Sequence, residues 1–164
     1  MAGYWSRAHE ILKANAKALK LVAEDTALWE LARRSRGTPR VANRLLRRSR
    51  DFAVVEGNGK LTLPITKQAL ELARIDGLGL DEQDRAFLKT VIEVYEGGPV
   101  GIEAVAATMG EERDTLEDVI EPYLLQQKLI KRTRQGRATT PQAYKHLGLK
   151  WHPPKTENGL FTDE

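Results

Sequence analysis

Cysteine is absent from all 164 residues, so the chain can form neither a disulfide framework nor a thiolate metal site. Histidine is almost as scarce. His9, His146 and His152 are scattered, and a histidine-built metal site is not expected. No apolar run approaches the roughly 18 residues of a membrane span. The opening Met1–Arg7 lacks the apolar stretch of a signal peptide. The phosphate-cradling pattern G-x-x-x-x-G-K-[ST] is missing as well, and no nucleophile–base pairing can be picked out. The expectation is a cytoplasmic, metal-free protein with no membrane contact and no catalytic residues of its own.

What the chain does hold is segregated charge. Apolar residues make up 41% and charged residues 30%, enough for packed cores in one ordinary domain or two small ones. The net charge of +3 hides blocks of one sign. From Arg33 to Arg50 there are eight arginines and no acid. From Asp51 to Glu121 there are sixteen acids against six basic residues. From Pro122 to Thr156 there are eight lysines and arginines and again no acid. Blocks like these point to a polyanionic partner, nucleic acid or nucleotide first.

The pattern is helical almost throughout. Helices are expected from His9 to Leu19, from Glu24-Asp25 to near Gly37, and from Thr38-Pro39 through Phe52. Thr38 reads as an N-cap and Pro39 as N1, where a missing N–H costs nothing. A turn at Gly57-Asn58-Gly59 leads into a short extended piece, Lys60–Leu63, and then a helix from Pro64 to Ile75. Asp76–Leu80, with two glycines, is the best domain boundary. Beyond it, Asp81 to Tyr95 reads as a helix with Phe87, Leu88, Val91, Ile92 and Tyr95 on its buried stripe. Asp81, Glu82 and Asp84 are read as its solvated acidic first turn. Ile102–Met109 and Glu112–Gln127 follow as helices, the latter with Leu116, Val119, Ile120, Tyr123 and Leu124 inward and a kink at Pro122. Leu129 to Thr140 reads as a β-hairpin with a basic tip, and Pro141–Leu147 as a closing helix. Three helices followed by a basic hairpin is the winged-helix order.

Two stretches carry candidate chemistry. Arg33-Arg34-Ser35-Arg36-Gly37-Thr38-Pro39-Arg40 puts Arg40 in the first turn of a helix, where a guanidinium can grip phosphate oxygens through two parallel bonds. A solvated arginine face that only keeps the domain soluble would read the same way in composition. The hairpin carries Lys131, Arg132, Arg134 and Arg137, cations able to straddle phosphates, though a purely structural hairpin could carry them too. The preceding helix holds Glu111, Glu112, Asp114, Glu117, Asp118 and Glu121. Those carboxylates would be repelled by the walls of a DNA groove. The hairpin should therefore do most of any DNA binding, with little base specificity. Trp5, Trp29 and Trp151 read as core or tail residues, and Tyr95 and Tyr123 as core.

Two runs resemble a known family. Arg33–Ala53, RRSRGTPRVANRLLRRSRDFA, is similar to the lid domain of the RuvB family. Gly97–Pro122, GGPVGIEAVAATMGEERDTLEDVIEP, continued by RTRQGRATTPQAYKHLG, is similar to that family's winged helix. The resemblance implies a mainly α chain: an unmatched segment at 1–10, a small helical AAA+ lid domain at 11–76, a winged-helix domain with a short β-hairpin wing at 81–149, and a flexible tail at 150–164. It further implies a motor that drives Holliday-junction branch migration on duplex DNA, hexameric when full length and partnered by a junction-recognising protein of the RuvA type. ATP with Mg²⁺ is its cofactor. Within it, Arg40 takes the role of the sensor arginine that approaches the γ-phosphate, Pro39 lies near the adenine, and Arg132, Arg134 and Arg137 meet the DNA backbone. Gln135 departs from the pattern, standing where the family usually has arginine. With no phosphate loop, this chain is not expected to hydrolyse ATP alone, and it is expected to be a monomer. A free-standing winged-helix regulator and a pure protein-interaction module that docks basic partners on the acidic middle remain alternatives. The first predicts sequence preference, and the second no affinity for DNA.

Overall fold

The computed structural model describes residues 2–153. The chain divides into two compact units after Glu82. In the first unit, helices α1 (Ala2–Ala18), α2 (Asp25–Arg34), α3 (Pro39–Glu56) and α4 (Leu63–Leu72) pack around one core. Ala8, Leu12 and Ala16 recur every fourth residue and line one face of α1. They meet Leu28 and Leu31 of α2 and Leu45 and Leu46 of α3. The first helix begins well before the expected start at His9. His9 explains part of that order: its ring stacks on Trp29 with centroids 4.0 Å apart, and its Nε2 lies 2.8 Å from Asp25 Oδ1. Trp5 and Trp29 both pack against this core, while Trp151 is exposed.

The extended piece after Gly59 is reduced to one parallel bridge, Ala23 with Leu61. Leu61 is fully buried, so the bridge anchors a core side chain rather than opening a sheet. Thr62 caps α4, accepting a hydrogen bond from the Ile65 amide at 3.3 Å. The Asp76–Leu80 segment is no open linker. Asp76 Oδ1 accepts from the amides of Leu78 and Leu80 at 3.0 Å each, which winds the segment into a closed turn.

The second unit is a winged helix. Its helix α5 (Glu82–Lys89) runs on as a π-helical turn, Thr90–Val94. Helix α6 (Ile102–Met109) follows. The short α7 (Arg113–Thr115) passes through a second π-helical turn, Leu116–Ile120, into α8 (Glu121–Gln126). Strands β1 (Ile130–Thr133) and β2 (Gly136–Thr139) pair antiparallel, and α9 (Pro141–His146) closes the unit. The core gathers Phe87, Leu88, Val91, Val105, Leu116, Ile120, Leu124 and Tyr144.

Three expectations change here. Val119 is exposed, not inward, because the π-helical turn before Pro122 resets the phase of the stripe. Tyr95 is only half-buried, its hydroxyl donating to the Ala104 carbonyl at 3.1 Å and sitting 2.6 Å from Thr108 Oγ1. Asp84 is wholly buried, so the acidic first turn of α5 is not uniformly solvated. Of the expected tail, Lys150–Pro153 carries no regular structure, and the remainder lies outside the described residues.

Candidate nucleotide and nucleic-acid interfaces

Seven of the eight arginines in the first unit's block sort into two groups. Glu30, nearly buried on α2, binds Arg33 at 2.7 Å and Arg34 at 2.7 Å, and Arg34 also donates to the Ile75 carbonyl at 3.1 Å. Arg50 pairs with Asp51 at 3.3 Å. These arginines are spoken for within the fold. Arg40, Arg44, Arg47 and Arg48 are exposed and line a shallow groove of about 510 Å³ on α3 together with Asn43 and Asp51. No carboxylate pairs with those four among the described residues.

Pro39 and Arg40 open α3, as the sequence implies. Thr38 has the extended backbone of a capping residue but makes no side-chain cap. Its hydroxyl turns back towards the Arg36 carbonyl at 3.4 Å, a weak bond. Pro39 and Arg40 serve different surfaces. Arg40 lines the arginine groove, whereas Pro39 lines a second one with Gly37, Ala8 and Ile11.

On the second unit the four expected wing cations are equally unlike one another. The register pairs Arg132 with Arg137 and Thr133 with Gly136, leaving Arg134 and Gln135 as a two-residue tip. Thr133 Oγ1 closes it, donating to the Gly136 carbonyl at 2.9 Å and accepting from the Gln135 amide at 3.2 Å. Lys131 and Arg134 are exposed with no carboxylate partner among the described residues. Arg137 points inward: its side chain is 18% exposed, and its Nε donates to both oxygens of Glu121 at 3.2 Å. Its far end lies 3.5 Å from Glu117. Arg132 stands between these cases, 59% exposed yet tied through Nε to Glu121 Oε1 at 2.5 Å. Of the four cations, then, Arg137 is committed to the fold.

Glu121 carries no mark in the sequence that separates it from the acids around it. Only the fold shows that its side chain is 0% exposed while Glu112, Asp114 and Asp118 before it are exposed. The available signal is indirect: it is the last acid before an acid-free basic stretch, and the hairpin returns that stretch to it. The other acids of this helix are also partly engaged. Arg113 binds Glu117 at 3.1 Å and Glu103 at 2.7 Å. The Glu117 hydrogen bond, reinforced by its charge, raises the Arg113 pKa above the ordinary guanidinium value. The one cation at the start of this helix is therefore held by acids, and the helix presents a largely negative face.

The wing is fastened at its base by backbone. Val100 bridges Arg137, with hydrogen bonds of 2.9 and 2.7 Å in the two directions. Gly136 makes that approach possible: its φ is +132°, and a Cβ there would overlap the Val100 carbonyl. Gly136→Ala is expected to unfasten the wing, costing at least about 2 kcal/mol. Loss of amide protection at Val100 and Arg137 would register it; unchanged protection would contradict this packing.

A four-helix unit followed along the chain by a winged helix with a basic hairpin is the module order of an AAA+ lid domain joined to a winged-helix domain. Residues 6–76 match the family model described as the RuvB AAA lid domain, and residues 77–148 the RuvB C-terminal winged helix domain. The chain is 53% identical over 143 residues to the Holliday junction branch migration complex subunit RuvB of Ligilactobacillus salivarius (strain UCC118), covering 87% of this chain and 43% of that protein. It superposes on a single-residue mutant of Thermotoga maritima RuvB with a TM-score of 0.88 and 46% identity, over 90% of this chain and 49% of that one. The structure described as the Thermotoga maritima RuvB Holliday junction branch migration motor gives 0.86 and 46%, over 90% and 50%. The chain belongs to the RuvB family and carries its lid and winged-helix domains, spanning about half the length of the relatives it matches.

Proposed function

We propose that the chain supplies the nucleotide-sensing lid and the sequence-indifferent DNA contact of a Holliday-junction branch-migration motor. The observation that carries the DNA half is the wing. Lys131 and Arg134 are exposed and unpaired among the described residues, beside an acidic helix that could not enter a groove comfortably. Such a surface holds phosphates and ignores bases. Family membership supports the same reading over a free-standing regulator.

On the lid, Arg40 is the phosphate contact and Pro39 the neighbour of the base. The donor set fits this role: an exposed guanidinium in the first turn of α3 with no carboxylate partner among the described residues. Bound ATP with Mg²⁺ would supply the energy for motion. Arg40 offers one contact among the many that ATP needs, and the 164 residues contain no phosphate loop, so turnover by this chain alone is not expected. The full motor works as a hexamer with a junction-recognising partner of the RuvA type, in the cytoplasm. No helix among the described residues is long and apolar enough to cross a membrane.

Fluorescence anisotropy on two unrelated duplexes over a salt series tests the DNA half. The expected result is binding on the order of micromolar, equal for both sequences and falling steeply with salt. Replacing Lys131 and Arg134 together by alanine should flatten the slope of log K against log salt by roughly 2. A strong preference for one duplex would favour a regulator. Absence of binding at low salt would defeat the wing as an independent DNA contact.

A further inference from the structure

Glu121 is a carboxylate with no solvent exposure, set at the start of α8 beneath the wing. Charge neutrality does not require Arg132 there. Arg137 already donates to both Glu121 oxygens and is itself largely enclosed. Arg132 is 59% exposed, and an ion pair that open to water contributes little to stability. Its contact is nonetheless the shortest in the cluster, 2.5 Å, and it is made through Nε. A guanidinium held by Nε keeps its two terminal amino groups for another partner, in the fork that matches two phosphate oxygens. Among the described residues those amino groups donate no hydrogen bond, and Lys131 and Arg134 are exposed cations on the same hairpin.

We propose that Glu121 is the positioning residue of the wing: it holds the Arg132 guanidinium by one edge so that the other edge meets a DNA phosphate already oriented. This rests on the wing being the DNA contact. Arg137 is then the internal strut and Arg132 the aimed fork. The arrangement reverses what net charge alone predicts. Removing an acid next to a DNA-binding surface should tighten binding through weaker repulsion. Removing Glu121 should instead loosen it, because Arg132 loses its orientation and must be ordered when DNA arrives.

The test is anisotropy of an end-labelled duplex with the full chain as wild type, E121Q, R132A, R132K and E121Q/R132A. The wild type is expected to bind, and E121Q to bind about tenfold more weakly despite losing a negative charge. R132K, which keeps the charge but lacks the edge, should bind as weakly as R132A. E121Q should cost nothing further in the R132A background. NMR supplies a readout that a merely structural role would not move. The Arg132 Nε–Hε signal should be protected in the free wild type and lost in E121Q, with the backbone amides of β1 and β2 unshifted. Wild-type or tighter binding by E121Q overturns the positioning role and leaves the DNA contact standing. Scattered wing amides in E121Q make its loss one of folding and overturn it too. If E121Q does not fold, R132K decides alone: full affinity overturns the proposal, and R132A-like affinity upholds it. A wild-type chain that does not bind duplex removes the DNA-binding reading itself, and the proposal falls with it.

Discussion

Arg137→Ala is expected to destabilise the winged helix by about 3 kcal/mol, although Arg137 looks from the sequence like one more DNA-contacting cation. The cause is the charge it would leave behind. Glu121 is fully buried and Glu117 partly exposed, and Arg137 reaches both. Taking one partner from a buried pair strands a carboxylate where water cannot solvate it. The estimate sits at the low end of the range for such pairs because Arg132 still touches Glu121. Arg134→Ala, three residues before it on the exposed tip, should change stability by less than about 0.5 kcal/mol while weakening DNA binding. Residue-resolved hydrogen exchange separates the two variants. Amides of the second unit, Val100 and Leu129 among them, should exchange roughly 150-fold faster in Arg137→Ala, with those around Leu12 in the first unit unchanged. Equal stability of the two variants would show that the Glu121 cluster contributes no more than a surface ion pair.

Arg40→Ala in a full-length RuvB motor carrying these two domains should lower ATP turnover by at least about 100-fold. Arg40 is exposed, and no carboxylate among the described residues holds it, so its loss should leave the lid packed as before. On the proposed reading, what is lost is a planar donor to the nucleotide's phosphate. Arg40→Lys should not restore turnover, since an ammonium cannot reproduce the two parallel bonds. In the 164-residue chain the same change should leave melting temperature and duplex affinity unaltered. Retained turnover in the motor would show that another residue of the α3 groove, such as Arg44 or Arg47, takes the phosphate. Loss of duplex binding by the chain would place Arg40 in the DNA contact.

Much of the architecture was legible because it depends on local periodicity. The stripes at Leu28, Leu31 and Ala32, and at Phe87, Leu88, Val91 and Ile92, are buried where the 3.6-residue repeat puts them. Proline at the first turn of α3 and the glycines flanking the second unit's helices mark ends that neighbouring residues alone dictate. Where the repeat itself changes, local reasoning fails. Val119 turns outward because a π-helical turn inserts extra residues per turn, which no pattern of apolar residues announces.

The sites divide along the same line. Residue order alone placed Pro39 and Arg40 at a helix start and put four cations on one hairpin, since both follow from chain neighbours. It could not say which cations are free. Arg33 and Arg34 are matched by Glu30 within one helix, a spacing visible in the sequence. The partners of Arg132 and Arg137 lie on another element, reached only when the hairpin folds back over α8. An ion pair across the fold depends on burial and direction as well as on charge. The sequence by itself therefore determined the two folds, their family and the places where positive charge collects. Only the tertiary structure decided that Arg137 is bound inward, that Lys131 and Arg134 meet no carboxylate among the described residues, and that a buried Glu121 stands behind Arg132, because a side chain's partner is set by what the completed core leaves within reach.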